Sequence, residues 1–246
     1  MKLAEPQDIR TALTLLTRLP ISAGAPSPRM AEAAWAFPLA GLVLALLAGL
    51  ITSIALWLGL SPALSAVLLL ATLTVTTGAM HEDGLADTAD GFWGGWDREK
   101  RLAIMKDSHI GTYGVLALIL SFAARWAALT ALISQGNWLG PLIATACLSR
   151  AAMPVLMLAL PNARETGLSH HAGRPGRDTV LLGIACASLI ALLCTGATVI
   201  TLAAIAALTV ALVGSVARAK IGGQTGDVLG AAQQITEITL LAALAA

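Results

Sequence analysis

AAWAFPLAGLVLALLAGLITSIALWLGL, residues 33–60, carries no charged side chain. About 20 apolar residues suffice for a helix to cross the hydrocarbon core. In lipid the backbone must satisfy its own hydrogen bonds, which selects the helix. The run therefore predicts a transmembrane helix. Further apolar runs recur at 62–80, 112–133, 138–160, 179–194 and 197–217. The composition agrees, with 57% hydrophobic and 12% charged residues and a mean hydropathy of +0.80. An ordinary soluble domain has about 25% charged residues. There is too little polar surface here for a soluble globule and too much apolar surface for a disordered chain. The expected class is all-α: a polytopic helical membrane protein with about six transmembrane helices, in one integral-membrane domain over 1–246. The apolar tail at 235–246 is too short to span alone. It could lie at the interface, pack on the bundle, or join residues upstream as a seventh segment.

Residues 1–32 read as an interfacial amphipathic segment and a loop. Ile9, Leu13 and Leu16 share a helical face over 6–19, and Pro20, Pro26 and Pro28 follow. Glu5, Asp8, Arg10 and Arg18 break up the apolar core that a secretory signal would need. Six spans put the N-terminus, the 81–111 and 161–178 segments and the C-terminus on one side. Thirteen of the fifteen Lys and Arg residues lie there, all but Arg125 and Arg150. The positive-inside rule makes that side cytoplasmic, so both termini are expected in the cytoplasm and the chain in the cytoplasmic (inner) membrane. Trp57 and Trp138 are expected at the opposite interface. A net charge of +1 and a pI near 7.8 give no sign of a nucleic-acid partner. Cys147, Cys186 and Cys194 sit in apolar runs without metal-ligand spacing. No internal repeat is evident, which argues against an inverted-repeat transporter.

The chemistry concentrates in the cytoplasmic segment 81–111, which opens HEDGLADTADG. Asp83, Asp87 and Asp90 are spaced i, i+4, i+7 and fall within roughly 60° of arc on a helix. Three carboxylates on one stripe repel one another, so a cation is expected among them. Hard oxygen ligands suit Mg²⁺, which typically takes one or two carboxylates plus substrate phosphates. The plain alternative is a solvated acidic face. His81 points about 160° away from the stripe if it is helical, and turns inward only if the helix starts after it. Lys106 could meet a phosphate. Asp107 could bind metal or, like Ser108, cap the next helix, and His109 is expected to face solvent. The segment 218–246 is read as a Gly-rich turn and a C-terminal helix. In it, Lys220, Gly222, Gly223 and Thr225 could cradle phosphate, and Asp227 beside them would need a cation. A flexible turn capped by Thr225 or Asp227 is the alternative. Arg125 and Arg150 lie within predicted spans, where a charge is costly and faces a cavity or a partner. Arg150 is the stronger candidate for a substrate phosphate.

HEDGLADTADGFWGG (81–95), MKDSHIGTYG (105–114) and GGQTGDVLGA (222–231), with FPLAGL (37–42) and LSRAAMP (148–154), closely resemble the adenosylcobinamide-GDP ribazoletransferase (cobalamin 5′-phosphate synthase) family. The likeness covers nearly the whole chain. It departs at Ala79-Met80, where the family usually has Gly-Leu, and at His109, often Arg. The resemblance implies a membrane enzyme with a cytoplasm-facing active site and Mg²⁺ as cofactor. Its substrates would be adenosylcobinamide-GDP and α-ribazole or its 5′-phosphate, joined with loss of GMP. Other enzymes of cobalamin assembly and a second copy of the chain are further partners, beside the bilayer. On this reading Asp83 and Asp87 hold the metal, and Asp90 completes the site or acts as base. His81 and Asp107 are further catalytic candidates, and Asp107 and Asp227 would serve a second cation. A CDP-alcohol phosphotransferase fits poorly, because Asp83-Gly84 lacks the Ala-Arg pair that family places next. A cation or corrinoid transporter would be expected to place polar residues at mid-membrane and on both sides.

Overall fold

The computed structural model describes residues 3–21 and 29–246. Pro26 and Pro28 of the predicted loop lie outside them. No strand occurs among the described residues. Helix α1 (Pro6–Leu16) starts at a capping box between Glu5 and Asp8. It turns Leu16 into the core with Ile9 and Leu13 beside it. Asp8 accepts hydrogen bonds from Arg29 Nε (3.2 Å) and Trp35 Nε1 (3.0 Å), which ties α1 to the head of the next helix.

A 3-10 turn (Glu32–Ala36) leads into α2 (Phe37–Trp57). Then come α3 (Pro62–Thr77), α4 (Met80–Gly94), α5 (Arg98–Ile104), α6 (Thr112–Ser134), α7 (Leu139–Ala159), α8 (Leu168–Ala172), α9 (Arg177–Thr195), α10 (Val199–Ile221) and α11 (Gly226–Ala245). Five stretches are long and apolar enough to cross a membrane: Glu32–Trp57, Thr112–Ser134, Leu139–Ala159, Arg177–Ile221 and Gly226–Ala245. The pair α3–α4 makes a sixth if it counts as one broken span. α7 is the most enclosed of them. The 45-residue stretch Arg177–Ile221 folds back on itself at Gly196, where φ is +57°. Gly140, at the start of α7, lies against Cys194 at the end of α9, and Gly214, late in α10, lies against Leu156 late in α7. So α9 runs antiparallel to α7 and α10 runs parallel to it.

Two expectations change here. The tail does join upstream residues, giving the 20-residue helix α11. This helix starts beside the end of α10, and its Leu241 packs with Ile133, Trp138 and Leu142 at the other end of the bundle. The C-terminus therefore lies opposite the polar face, and the expectation of a shared cytoplasmic side for both termini is corrected. Trp57 is exposed, and Trp138 is buried in that same cluster at the start of α7.

The bend of 87° between α3 and α4 decides where the chemistry sits. Gly78 and Ala79 both adopt left-handed backbone, at φ +66° and +57°. This stops α3 and sends the acidic helix α4 across the polar end of the bundle, where Asp90 meets the start of α6 and Gly84 the start of α11. Ala79 is the one non-glycine residue with positive φ among those described. Left-handed backbone costs an L-residue roughly 1–2 kcal/mol. Ala79→Gly is expected to stabilise the protein by about 1 kcal/mol, read as a raised midpoint in detergent thermal denaturation. A lowered midpoint would show that the bend does not need glycine.

Candidate active site

α4 lies against α11 because Gly84 has no side chain. A Cβ at Gly84 would fall 2.7 Å from the Asp227 carbonyl oxygen. Gly230, a turn further along α11, faces His81 and Gly84 equally closely. This contact brings Asp227, in the first turn of α11, to the edge of α4 that carries Asp83 and Asp87. Asp83 is exposed and Asp87 half-buried. Burial raises the Asp87 pKa to about 7, helped by the charges of Asp83 and Asp227 and opposed by Arg164. Arg164 Nη2 donates to Asp227 Oδ2 at 3.2 Å, and Thr225 Oγ1 donates to the same oxygen at 3.2 Å. A polar cavity of about 190 Å³ opens beside this group, walled by Asp83, Asn162, Arg164, Ser169, Gln224 and Asp227.

Asp90 adds a smaller share to the charge that raises Asp87, but it does not line the cavity. It is buried, and its two oxygens accept from the Gly111 amide (2.7 Å) and the Gly114 amide (2.9 Å) at the start of α6. Both glycines are required, since a Cβ on either would collide with the Asp90 carboxylate. Asp90 thus caps α6 from a neighbouring helix, where a negative charge suits the helix N-terminus. Its expected role as metal ligand or base is corrected, and so is the expectation that Asp107 or Ser108 caps this helix.

Asp107 is exposed and pairs with His109 Nδ1 at 2.7 Å. Hydrogen bonds from the His109 side chain and backbone lower the Asp107 pKa, and Asp107 raises that of His109. The pair is a solvent-facing turn, so Asp107 joins neither the catalytic group nor a second cation site. His81 is 1% exposed and lines an apolar cavity with Leu16, Phe37 and Met153, while Asp83 lines the polar one. It is not placed for proton transfer at the Asp83–Asp87 edge. Lys106 is exposed. Lys220 sits 5.4 Å over the Trp93 ring, and its carbonyl accepts from Arg101.

The Gly-rich turn is structural. Gly222 ends α10 in left-handed backbone. Gly223 packs on the Pro161 carbonyl with no room for a Cβ. Neither is a phosphate cradle. Thr225 N-caps α11, accepting from the Val228 amide at 3.3 Å, and faces the polar cavity.

Arg150 is corrected as a phosphate ligand. It is 2% exposed, and its Nη1 donates to the Ala146 carbonyl inside α7. Arg125 is equally enclosed and bonds Glu82 Oε1 (3.2 Å) and Glu237 Oε1 (3.4 Å). Gln233 bonds Glu237 and Ser149, and Gln234 bonds Glu82. This buried polar layer locks α4, α6, α7 and α11 together below the candidate site. None of the three cavities described for the molecule is lined by Arg125 or Glu237.

Among the described residues no three His, Cys, Asp or Glu side chains form a ready-made metal centre. Asp83, Asp87 and Asp227 lie close enough for the charges of Asp83 and Asp227 to act on Asp87, with the Arg164 guanidinium opposing them; a hard cation, if bound there, would be held by these three. Such an ion would complete its shell from substrate phosphate and water, as Mg²⁺ commonly does.

Residues 8–245 match the family described as cobalamin-5-phosphate synthase. The chain belongs to that family. Adenosylcobinamide-GDP ribazoletransferase of Bradyrhizobium diazoefficiens is 45% identical over 245 residues, covering 97% of this chain and 93% of the relative. The protein of that name from Rhizobium meliloti is 43% identical over 250 residues, covering 97% and 95%. The one from Brucella ovis is 42% identical over 250 residues, covering 96% and 95%. No solved structure matches the chain significantly. These cobalamin-5-phosphate synthase relatives are transferases, and the chain is an enzyme of that class. In this family member the sequence motifs pointed to Asp83, Asp87 and Asp227. They did not point to Arg164, Asn162, Ser169 or Gln224. A Pro-Asn-Ala-Arg loop has no chemical signature by itself, and its one signal was an arginine between Ala163 and Glu165 in the second polar segment.

Proposed function

We propose that this family member is a Mg²⁺-dependent transferase joining adenosylcobinamide-GDP to α-ribazole or its 5′-phosphate. The products are adenosylcobalamin or its 5′-phosphate, and GMP. The reaction takes place at the cytoplasmic face of the inner membrane. The ribose hydroxyl of the acceptor attacks the phosphate attached to cobinamide. A new oxygen–phosphorus bond forms, the bond to the bridging oxygen breaks, and GMP carries that oxygen away. The observation that carries the reading is the meeting of Asp83, Asp227 and Arg164 in the wall of one polar cavity, with Asp87 close enough to feel all three charges. Asp83 and Asp87, with Asp227 beside them, would hold the ion. Bound Mg²⁺ supplies charge neutralisation of the diphosphate, which with positioning does most of the work in phosphoryl transfer. With Asp90 committed to α6, the hydroxyl proton passes to whichever of the three remaining carboxylates the ion leaves free.

The test is product formation by purified, detergent-solubilised protein. It is given adenosylcobinamide-GDP and α-ribazole 5′-phosphate, with Mg²⁺ or with EDTA. Release of GMP with a matching cobamide, abolished by EDTA, is the expected result. Folded protein that makes neither product, or that instead turns over CDP-alcohol substrates, would overturn the reading.

A further inference from the structure

Arg164 is held in place with unusual care for a loop residue. The Ala163 amide donates to the Gln224 carbonyl (2.8 Å) and the Gln224 amide to the Pro161 carbonyl (2.9 Å). Arg98 Nη2 fastens the Ala163 carbonyl at 2.8 Å. The chain just before Arg164 is therefore stitched to the turn that opens α11 and to α5. A guanidinium has five donors in a planar fork that fits phosphate bidentately. Here Nη2 meets Asp227 at 3.2 Å, while Nε is buried without a hydrogen-bond partner. Orphaned buried donors are uncommon, and of the arginines that carry one (Arg125, Arg150 and Arg164) only Arg164 lines one of the described cavities, where a ligand can reach it. Arg164 is also the one Lys or Arg among the residues lining the 190 Å³ cavity. Of the other polar walls, Asn162, Ser169 and Gln224 are bonded to one another.

We propose that Arg164 is a substrate-phosphate ligand of the transferase. In the free enzyme it neutralises Asp227. When a dication enters among Asp83, Asp87 and Asp227, that positive charge becomes redundant. The guanidinium then turns its fork, including Nε, to a phosphate seated in the cavity. The proposal rests on the function proposed above. The phosphate has two sources, the diphosphate of adenosylcobinamide-GDP or the 5′-phosphate of the ribazole acceptor.

The experiment compares wild type, Arg164→Gln and Arg164→Lys with both donor and acceptor varied, using α-ribazole and α-ribazole 5′-phosphate in turn. Loss of one charge-assisted pair should raise a KM by about 10- to 100-fold, with kcat less affected and Lys recovering part of the loss. A rise confined to α-ribazole 5′-phosphate, absent with unphosphorylated ribazole, assigns the acceptor phosphate. A rise for adenosylcobinamide-GDP with either acceptor assigns the diphosphate. Unchanged KM values throughout, or a loss in kcat alone, would overturn the proposal and leave Arg164 as a structural partner of Asp227. Calorimetry of inorganic phosphate and pyrophosphate binding with Mg²⁺ provides a readout that needs no turnover. Weaker binding by Arg164→Gln by about tenfold or more supports the proposal, and equal binding, or none by wild type, counts against it. If wild type binds these anions but makes no cobamide, the proposed reaction fails while the phosphate site stands.

Discussion

Asp87→Asn and Asp83→Asn each lower turnover by about a hundredfold or more while the protein still inserts and melts normally. Removing one electrostatic group from a preorganised site typically costs this much. Asp83 is exposed and Asp87 half-buried among like charges, so neither change opens a hole or strands a buried partner. Asp90→Ala behaves in the opposite way. It strips two backbone amides of a carboxylate acceptor and should cost about 2–4 kcal/mol of stability, with the folded fraction still turning over. Rates near wild type in both Asn variants would remove the two carboxylates from the mechanism. A rate loss in Asp90→Ala without a stability loss would return Asp90 to it. A pH effect accompanies this. With its pKa raised to about 7, Asp87 keeps its proton below that pH in the ion-free protein. A dication arriving there must displace the proton, so the Mg²⁺ concentration for half-maximal rate should rise as pH falls below about 7. That dependence should vanish in Asp87→Asn if any residual rate can be followed.

Arg125→Met is expected to be the most damaging single change to stability. Arg125 is 1% exposed and stands between Glu82 and Glu237, themselves buried. Removing it leaves two carboxylates uncompensated in the interior, and breaking a buried pair from one side costs about 3–5 kcal/mol. The companion change Glu237→Gln should recover part of this, because it removes one stranded charge and keeps an acceptor for Gln233. Thermal or SDS-induced unfolding in detergent gives the measurement. A single variant as stable as wild type would show that the layer does not bind α4 to α6 and α11.

The apolar runs were legible because a lipid-facing helix needs only length and the absence of charge, both properties of consecutive residues. The runs predicted from 33, 62, 112, 138, 179 and 197 reappear as α2, α3, α6, α7, α9 and α10 with small shifts at their ends. The Asp83–Asp87 pair was legible for a similar reason, since i, i+4 spacing on one helix fixes a shared face. Ala79 shows the limit of such reading. It takes the left-handed φ that favours glycine, yet nothing along the chain announces an 87° turn.

What the sequence by itself determined is the membrane class, the clustering of basic and acidic residues outside the spans, and the family through its motifs. The tertiary structure decided which carboxylates lie together. Asp90 shares the stripe's spacing, but two glycines on α6 leave room for its carboxylate beside free amides, and it becomes a helix cap. Asp227 lies 140 residues beyond Asp87, yet Gly84 lets α11 close on α4 and brings it in. Arg150 and Arg125 looked alike as charges at depth. Packing sealed both, Arg125 between carboxylates of α4 and α11 and Arg150 on a carbonyl of its own helix. Arg164 gained its place only through backbone bonds between two loops distant in sequence. Local spacing sets the direction of a side chain, but its partners come from other helices, and only their packing brings them within hydrogen-bonding distance.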